Sequence, residues 1–208
     1  MKPELREDGR LVLTIKTEKD LRTYMQPLRQ KILFELGLRP AGMTAKQLAD
    51  TLHIAPSSAG HHLGKLADLG LVELARTENI HGITAKFYRA TDVTVSIDVI
   101  KGSALMHQAL VQNSVAEQAG RLMDVMTLVE SGAIPRDASN SNLSTGMVYL
   151  TPAQAEAWHA DFDKFIHAHT QPREGAQAYE YSLLMLNLSL WQQHRAEFTA
   201  PKDPQPEE

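Results

Sequence analysis

The sequence contains no cysteine among its 208 residues. This absence excludes disulfide bonds, cysteine metal sites, iron–sulfur clusters and thiol chemistry. The sequence also has no apolar run that approaches the roughly 18 consecutive residues of a membrane-spanning helix. Its first residues lack the apolar stretch of a secretory signal, so we expect a cytoplasmic protein with no membrane partner.

Charge is unevenly distributed along the chain. The net formal charge of −4 argues by itself against a nucleic-acid partner. Residues 1–92, however, hold 14 Lys and Arg against 11 Asp and Glu, a net of +3, whereas residues 93–208 hold 7 against 14, a net of −7. Two parts with different roles would explain this asymmetry, with the basic part a candidate for polyanion binding; ordinary scatter in composition would also explain it.

The first quarter of the chain predicts a short strand and a helix. Leu11–Ile15 is rich in residues that favour strands. Apolar residues then recur at spacings of three and four between Leu21 and Leu36, as on one face of a helix. We expect Asp20 to cap this helix and Pro27 to kink or divide it.

Two further helices follow within a short stretch. Thr44 and Gln47 have the spacing of a capping box, which predicts a short helix that stops near His53. Pro56 disfavours helical geometry in the residue before it and suits the first position of a new helix. We therefore predict a second helix over Pro56–Leu69, ended by glycine.

A hairpin completes this region. Leu71–Ala75 and Ala85–Ala90 predict strands, with Thr77–Thr84 as a polar tip. Helix, short helix, tight turn, second helix and hairpin is the order of a winged helix-turn-helix. In that motif the second helix enters the DNA major groove with its N-terminal half toward the bases. The wing, Leu71–Ala90, would then lie on the backbone or in the minor groove.

The candidate DNA-binding residues lie at the start of the short helix, on the second helix and in the wing. Those on the second helix point outward if Ala59, Leu63 and Leu66 face the core. The full set is Thr44, Lys46, Ser57, Ser58, Gly60, His61, Lys65, Arg76, His81 and Lys86. For the histidines and the wing cations, simple solvent exposure is the alternative interpretation. Gly60 and Gly64 each cost a helix about 1 kcal/mol, which indicates either close approach of the backbone to DNA or mere tolerance.

The stretch Leu21–Thr91 resembles the ArsR-type family of winged-helix transcriptional repressors. Pro27–Leu33 resembles that family's "D-P-x-R-x-x-I-L" first helix, and Pro56–Leu66 resembles its recognition helix, with the core "S-x-H-L-x-x-L". The resemblance implies a dimeric repressor that binds double-stranded DNA. Ala55 and Gly60 stand where family members carry serine, which removes two hydroxyls that could contact phosphates. The thiolate metal sensing of some members needs a cysteine pair, which this chain lacks.

The fold class we predict is mainly α with small β elements (α+β). A winged helix-turn-helix domain over 1–92 precedes a helical or α+β dimerisation or sensor domain over 93–200 and a disordered tail over 201–208. A long helix over Ser103–Ser131, together with the N-terminal strand or helix, would form the homodimer interface, and a small-molecule effector of this domain stays open. The other predicted elements are strands over Val93–Val99 and Met147–Leu150, a helix from Thr151 to about His169, and a strand or helix over Tyr179–Leu188.

His159, Asp163 and His167 are spaced so that they neighbour one another on a helix. A transition-metal site or an acid–base pair is geometrically compatible with this spacing, although a solvated helix face is the commoner cause. No nucleophile motif or glycine-rich phosphate loop accompanies them. We expect no catalytic residue, metal or cofactor, and no enzyme. The alternatives are a winged-helix protein-interaction module that does not bind DNA, and a metal-dependent enzyme that uses this C-terminal face.

Overall fold

The computed structural model describes residues 2–6, 11–80, 82–97, 100 and 104–195. The chain forms two compact units, residues 1–178 and residues 179–208. The elements of the first unit are β1 (Glu4–Leu5), β2 (Leu11–Ile15), α1 (Glu18–Tyr24), α2 (Pro27–Gly37), α3 (Ala45–Leu52), α4 (Pro56–Leu69), β3 (Val72–Ile80), β4 (Ile83–Ala90), β5 (Thr94–Ile97), α5 (Ala104–Glu130), α6 (Arg136–Ser139) and α7 (Pro152–His167). The second unit contains α8 (Leu188–Gln193).

The first helical stretch is divided at Pro27, as predicted, but its cap is a different residue. Thr17, not Asp20, is the N-cap of α1, and its hydroxyl oxygen accepts a hydrogen bond from the Asp20 backbone N–H at 3.1 Å. Asp20 is instead the third residue of α1, and its carboxylate accepts a hydrogen bond from the Thr17 hydroxyl at 2.8 Å. The second piece, α2, begins at Pro27, where the Gln26 side chain caps the helix by accepting from the Arg29 backbone N–H.

The helices α3 and α4 have the predicted bounds because local signals set both ends. Thr44 and Gln47 form the complete capping box at the start of α3. His53 ends α3 in the left-handed region, with φ of 53°, a conformation that histidine tolerates better than most residues. Proline opens α4 at Pro56, and Gly70 closes it with φ of 84°.

Two small sheets flank these helices. In the first, β2 lies between β1 and β5, antiparallel to β1 and parallel to β5. The parallel pairing brings the chain after the wing back beside the N-terminal strand, with Val12 opposite Thr94 and Ile15 opposite Ile97. The prediction of a strand within Val93–Val99 is confirmed, although residues 98 and 99 lie outside the described part of the chain.

The second sheet is the antiparallel pair β3 and β4, and it is longer than predicted. Pairing runs from Val72 opposite Ala90 to Ile80 opposite Ile83, with an irregularity between Leu74 and Arg76. The prediction of a polar loop over Thr77–Thr84 was therefore wrong. Backbone hydrogen bonds between the two strands hold the outer part of this ribbon together. Its side chains are mostly polar and do not alternate with apolar ones, so the sequence pattern does not identify these residues as strands.

The buried core lies in the first part of the chain. Residues of α1, α2, α3 and α4, of β2 and of the base of the wing form it. Its fully buried large side chains are Leu13, Ile15, Leu21, Ile32, Leu36, Leu48, Leu63 and Leu66. None of the described residues from 104 to 195 is buried. Met106 of α5 packs half-buried against the core, and the Arg121 guanidinium lies 4.4 Å from the centre of the Phe34 ring. The long helix α5 therefore touches the N-terminal part without joining its interior.

The remaining C-terminal predictions had mixed outcomes. The long helix and the capping box at Thr151 are confirmed, and α7 ends at His167. The strand predicted over Met147–Leu150 was wrong, because no neighbouring strand pairs with it among the described residues. Tyr179–Leu188 is irregular up to Asn187, where α8 is capped. Ser103 and the predicted tail over 201–208 lie outside the described residues. The fold class, mainly helical with small sheets, is confirmed.

Candidate nucleic-acid interface

The turn between α3 and α4 fixes how the two helices cross. The Ile54 backbone N–H donates to the Ala49 carbonyl at 3.0 Å, and the Ile54 side chain packs half-buried against the core. Ala49 and Ala59 are both almost fully buried, at 1% and 0% exposure. Two methyl-sized side chains at the crossing allow close contact between the helices, so the direction of α4 is set by α3.

One face of α4 is committed to the core and the other is free to bind a partner. Ala59, Leu63, Leu66 and Leu69 are buried. The exposed residues of the candidate set on this helix are Ser57, Gly60, His61 and Lys65. Ser58 is half-buried, so it lies at the edge of the exposed face rather than at its centre. Ala55 makes no side-chain cap, as its missing hydroxyl implies.

The two glycines of α4 make no close packing contact with the described residues. Both are exposed, and a Cβ atom built at Gly60 or Gly64 would meet nothing within 4 Å. Neither glycine has a positive φ that would require it. No close contact within the described part of the chain therefore offsets their cost to the helix.

The candidate residues of α3 make local contacts. The Thr44 hydroxyl accepts from the Gln47 backbone N–H at 3.1 Å, and the Thr44 backbone N–H donates to the Gln47 side chain at 2.8 Å. The Lys46 ammonium group lies 2.8 Å from an Asp50 carboxylate oxygen, and both side chains are exposed. An exposed ion pair of this kind is weak, so Lys46 can exchange its partner for a phosphate at little cost.

Hydrogen bonds connect the base of the wing to the loop before α3. Met43 and Tyr88 exchange two backbone hydrogen bonds, each of 2.8 Å. Arg76 donates to the Ala41 carbonyl and, through Nε, to Glu78 at 2.6 Å, while its guanidinium lies 3.8 Å from the centre of the Phe87 ring. Arg76 is thus bound within the protein, whereas Lys86 is exposed on the ribbon. His81 lies outside the described residues.

Gly42 is required by this junction. Its φ is +87°, and a Cβ atom there would lie 2.9 Å from the Tyr88 carbonyl oxygen. We expect Gly42→Ala to lower the free energy of unfolding by about 1–3 kcal/mol through backbone strain and displacement of β4. Urea denaturation measures the effect. Gly37→Ala is the matched control, because nothing lies within 4 Å of a Cβ atom built at Gly37; an equal loss in both variants would contradict the account.

His62 lies half-buried on α4, near Arg29 of α2. Its Nδ1 atom is buried and has no hydrogen-bond partner among the described residues. Burial lowers the pKa of His62 below its usual 6.5, and the positive charges of Arg29 and His61 lower it further. The fold therefore favours the neutral ring.

This shift predicts an acid-dependent loss of stability. The unfolded chain binds the His62 proton more readily, so the stabilising contribution is present above pH 6.5 and is lost as the pH falls toward the lower folded-state pKa. Denaturation across this range should show a smaller pH dependence for His62→Gln than for the wild type. The exposed His159, replaced in the same way, serves as the control. Parallel curves for all three proteins would show that His62 titrates alike in both states.

The C-terminal histidines do not assemble into a metal centre in the part of the chain that the structure describes. No group of three His, Cys, Asp or Glu side chains there is placed to hold a metal ion. His159 and His167 are exposed on α7. The aromatic residues of this helix stack in pairs instead, Trp158 on Phe162 and Phe165 on His169.

Sequence reasoning missed the contacts that join distant segments. Arg76 and Ala41 are 35 positions apart, and no local signal marks such a contact. The same holds for Arg29, whose guanidinium reaches the Thr23 carbonyl across the break between α1 and α2. The pattern of the first helix contained one usable signal for it, because a proline that divides a helix leaves unpaired carbonyls behind.

Comparison with known proteins agrees with this geometry. Residues 24–75 match the family model of a helix-turn-helix domain. The match begins at the end of α1, covers α2, α3 and α4, and ends within β3. No curated protein matches the chain. Among the helices that the structure describes, none combines the length and apolar character needed to cross a membrane. The chain therefore carries a helix-turn-helix DNA-binding domain of the kind found in regulators.

Proposed function

We propose that the protein is a dimeric, sequence-specific transcriptional regulator that represses by occupying promoter DNA in the cytoplasm. In this proposal α4 lies in the major groove and the wing, Leu71–Ala90, lies on the backbone or in the minor groove. The observation that carries it is the face of α4 opposite the core, where Ser57, His61 and Lys65 are exposed around two bare glycines. This face belongs to the segment that matches the helix-turn-helix domain.

The residues divide by their expected contacts. Ser57 and His61 lie in the N-terminal half of α4 and Lys65 in its C-terminal half. All three carry hydrogen-bonding groups suited to base edges and phosphates. Thr44 and Lys46 stand at the N-terminus of α3, and Lys86 on the wing, where phosphate contacts are expected. Arg76 supports the wing through its contacts to Ala41 and Phe87; a role in DNA contact would require it to leave them.

The ArsR-type character is part of this proposal and rests on the motifs of α2 and α4. The absence of cysteine rules out the thiolate sensing used by some members of that family. An effector, if the protein has one, would then act through other chemistry, and we assign its site to the region 93–200. We place the boundary near residue 92, which divides the chain into a part of net charge +3 and a part of net charge −7.

Dimerisation is proposed through α5. This helix has 27 residues and buries none of them. Its exposed apolar residues recur at helical spacing along one side, a set we call the α5 stripe: Val111, Val115, Ala119, Met123 and Met126. Pairing of two copies along this stripe would bury apolar surface that a single chain leaves in water. A dimer of helix-turn-helix domains is expected to bind two half-sites about 34 Å apart, one turn of DNA.

The experiment that tests the proposal is selection of bound duplexes from a random pool by the full-length protein. We expect enrichment of a near-palindromic sequence with half-sites one helical turn apart. Binding should weaken linearly in log K against log salt. A pool that stays random after repeated selection, with no salt-dependent retention, would refute DNA recognition and favour the protein-interaction module instead.

A further inference from the structure

A shallow, open cleft of about 540 Å³ lies at the junction of α1 and α2. It is lined by Glu18, Lys19, Arg22, Thr23 and Arg29. Three of these five residues are cationic and one is acidic. None of them belongs to the exposed face of α4 or to the wing, so the cleft is separate from the interface described above.

The single carboxylate of the cleft is already occupied. One Glu18 oxygen accepts bonds from Nε and Nη2 of Arg22, at 3.0 and 2.5 Å. Among the described residues, neither Lys19 nor Arg29 has a carboxylate within 4 Å. The lining therefore keeps a surplus of two positive charges.

Arg29 is a partly buried cation whose donors are only partly paired by the described residues. Its Nη1 atom donates to the Thr23 carbonyl at 2.7 Å, while its Nε atom is buried and unpartnered among the described residues. Burial lowers the pKa of Arg29, yet arginine stays charged in proteins, so the partly desolvated charge is costly without an anion.

The position of Arg29 in α2 also favours a bound anion. Arg29 is the third residue of α2, and the first turn of α2 contains no acidic residue. The positive end of a helix dipole disfavours a cation there and favours an anion. The surplus positive charge of the cleft, the partial burial of Arg29 and the dipole of α2 all favour a negatively charged group at this position.

The cleft also lies beside α4. The charge of Arg29 is felt at His62, and the His62 ring is 5.4 Å from the ring of His61 on the exposed face. The cations of the cleft therefore lie near the edge of the surface that we assign to DNA.

We propose that Lys19, Arg22 and Arg29 form a binding site for a phosphate group. Guanidinium groups bind phosphate oxygens through paired N–H donors, and the lysine adds a mobile charge. The phosphate is either that of a DNA backbone flanking the major groove or a free phosphate ion. The DNA form of this inference rests on the proposed function, whereas the free-phosphate form does not.

The test uses the full chain and two exposed side chains that make no core contact. The double variant Lys19→Gln with Arg22→Gln removes two charges from the cleft, and Arg22 is 70% exposed. Lys31→Gln is the matched control, because Lys31 is an exposed cation of α2 outside the cleft. Arg29→Gln is measured as well, with its folding checked by circular dichroism, since it also loses the bond to Thr23.

Two arms separate the sources of phosphate. With a short duplex of selected sequence, the DNA form predicts that the double variant lowers the slope of log K against log salt by about one, while Lys31→Gln leaves it within error. With inorganic phosphate at constant ionic strength, the free form predicts a rise in Tm for the wild type and Lys31→Gln but not for the double variant.

Each outcome decides the inference. A change in either arm that is confined to the cleft variants supports it and names the source. Identical behaviour of all proteins in both arms overturns it. If the wild type binds no DNA at all, the proposed function fails on its own, and the phosphate titration alone decides whether the cleft binds an anion.

Discussion

Replacing Gly60 or Gly64 with alanine should stabilise the protein and weaken its binding to DNA. An added Cβ atom meets nothing within the chain at either position, so each change should raise the free energy of unfolding by up to about 1 kcal/mol through helix propensity. The same methyl group would hold α4 away from the base edges. A loss of about 1–3 kcal/mol of binding free energy, the size of one lost base contact, corresponds to roughly 5- to 150-fold in Kd.

The prediction is specific because the free energy of unfolding should rise while the affinity for DNA falls. Chemical denaturation gives the stability, and titration of a selected duplex gives the affinity. Gly37→Ala, at the end of α2, is the control and should leave DNA affinity unchanged. Wild-type affinity in both Gly60→Ala and Gly64→Ala would mean that the glycines are merely tolerated and that no close approach occurs there.

Placing charge on the α5 stripe should separate the dimer and remove most of its affinity for a palindromic site. Val115→Glu with Met123→Glu adds two carboxylates at positions that are 38% and 51% exposed in the single chain. Folding of the monomer should therefore be preserved. Two half-sites bound by one dimer gain roughly 10²–10⁴-fold over a single contact, and the variant should lose a comparable factor.

The control for this experiment lies on the same helix. Asn113→Glu adds a carboxylate at an exposed position of α5. Asn113 is two residues from both Val111 and Val115 in sequence, so it lies on a different side of the helix from the α5 stripe. Analytical ultracentrifugation gives the oligomeric state of each protein, and DNA titration gives the affinity. A double variant that sediments like the wild type, or a wild type that is already monomeric when bound to DNA, would contradict the assignment of α5.

The parts of the fold that could be predicted from sequence are those fixed by neighbouring residues. The capping box at Thr44, proline at the start of α4 and glycine at its end each act within one helical turn, and the bounds of α3 and α4 followed from them. The inward face of α4 followed from spacing alone. Asp20 was misjudged because Thr17, three residues earlier, competes for the same capping role.

The rest depended on partners that are distant in sequence. The outer parts of the wing strands, between Ala75 and Ala85, pair with each other and show no apolar alternation. Met147–Leu150 has the composition of a strand but no partner strand among the described residues. The cation cluster of Lys19, Arg22 and Arg29 spans a helix break, so its members share no periodicity. The candidate residues on α4 other than the half-buried Ser58 are exposed. The interaction of Arg76 with Ala41 could be found only in three dimensions.

The most direct test of the central claim compares two duplexes as the salt concentration is raised. One carries the selected sequence and the other the same bases in scrambled order. If α4 reads base edges, the full-length protein should bind the selected duplex at least about 10³-fold more tightly, with log K falling linearly in log salt for both. Equal affinity for the two duplexes, with no dependence on salt, would contradict the account.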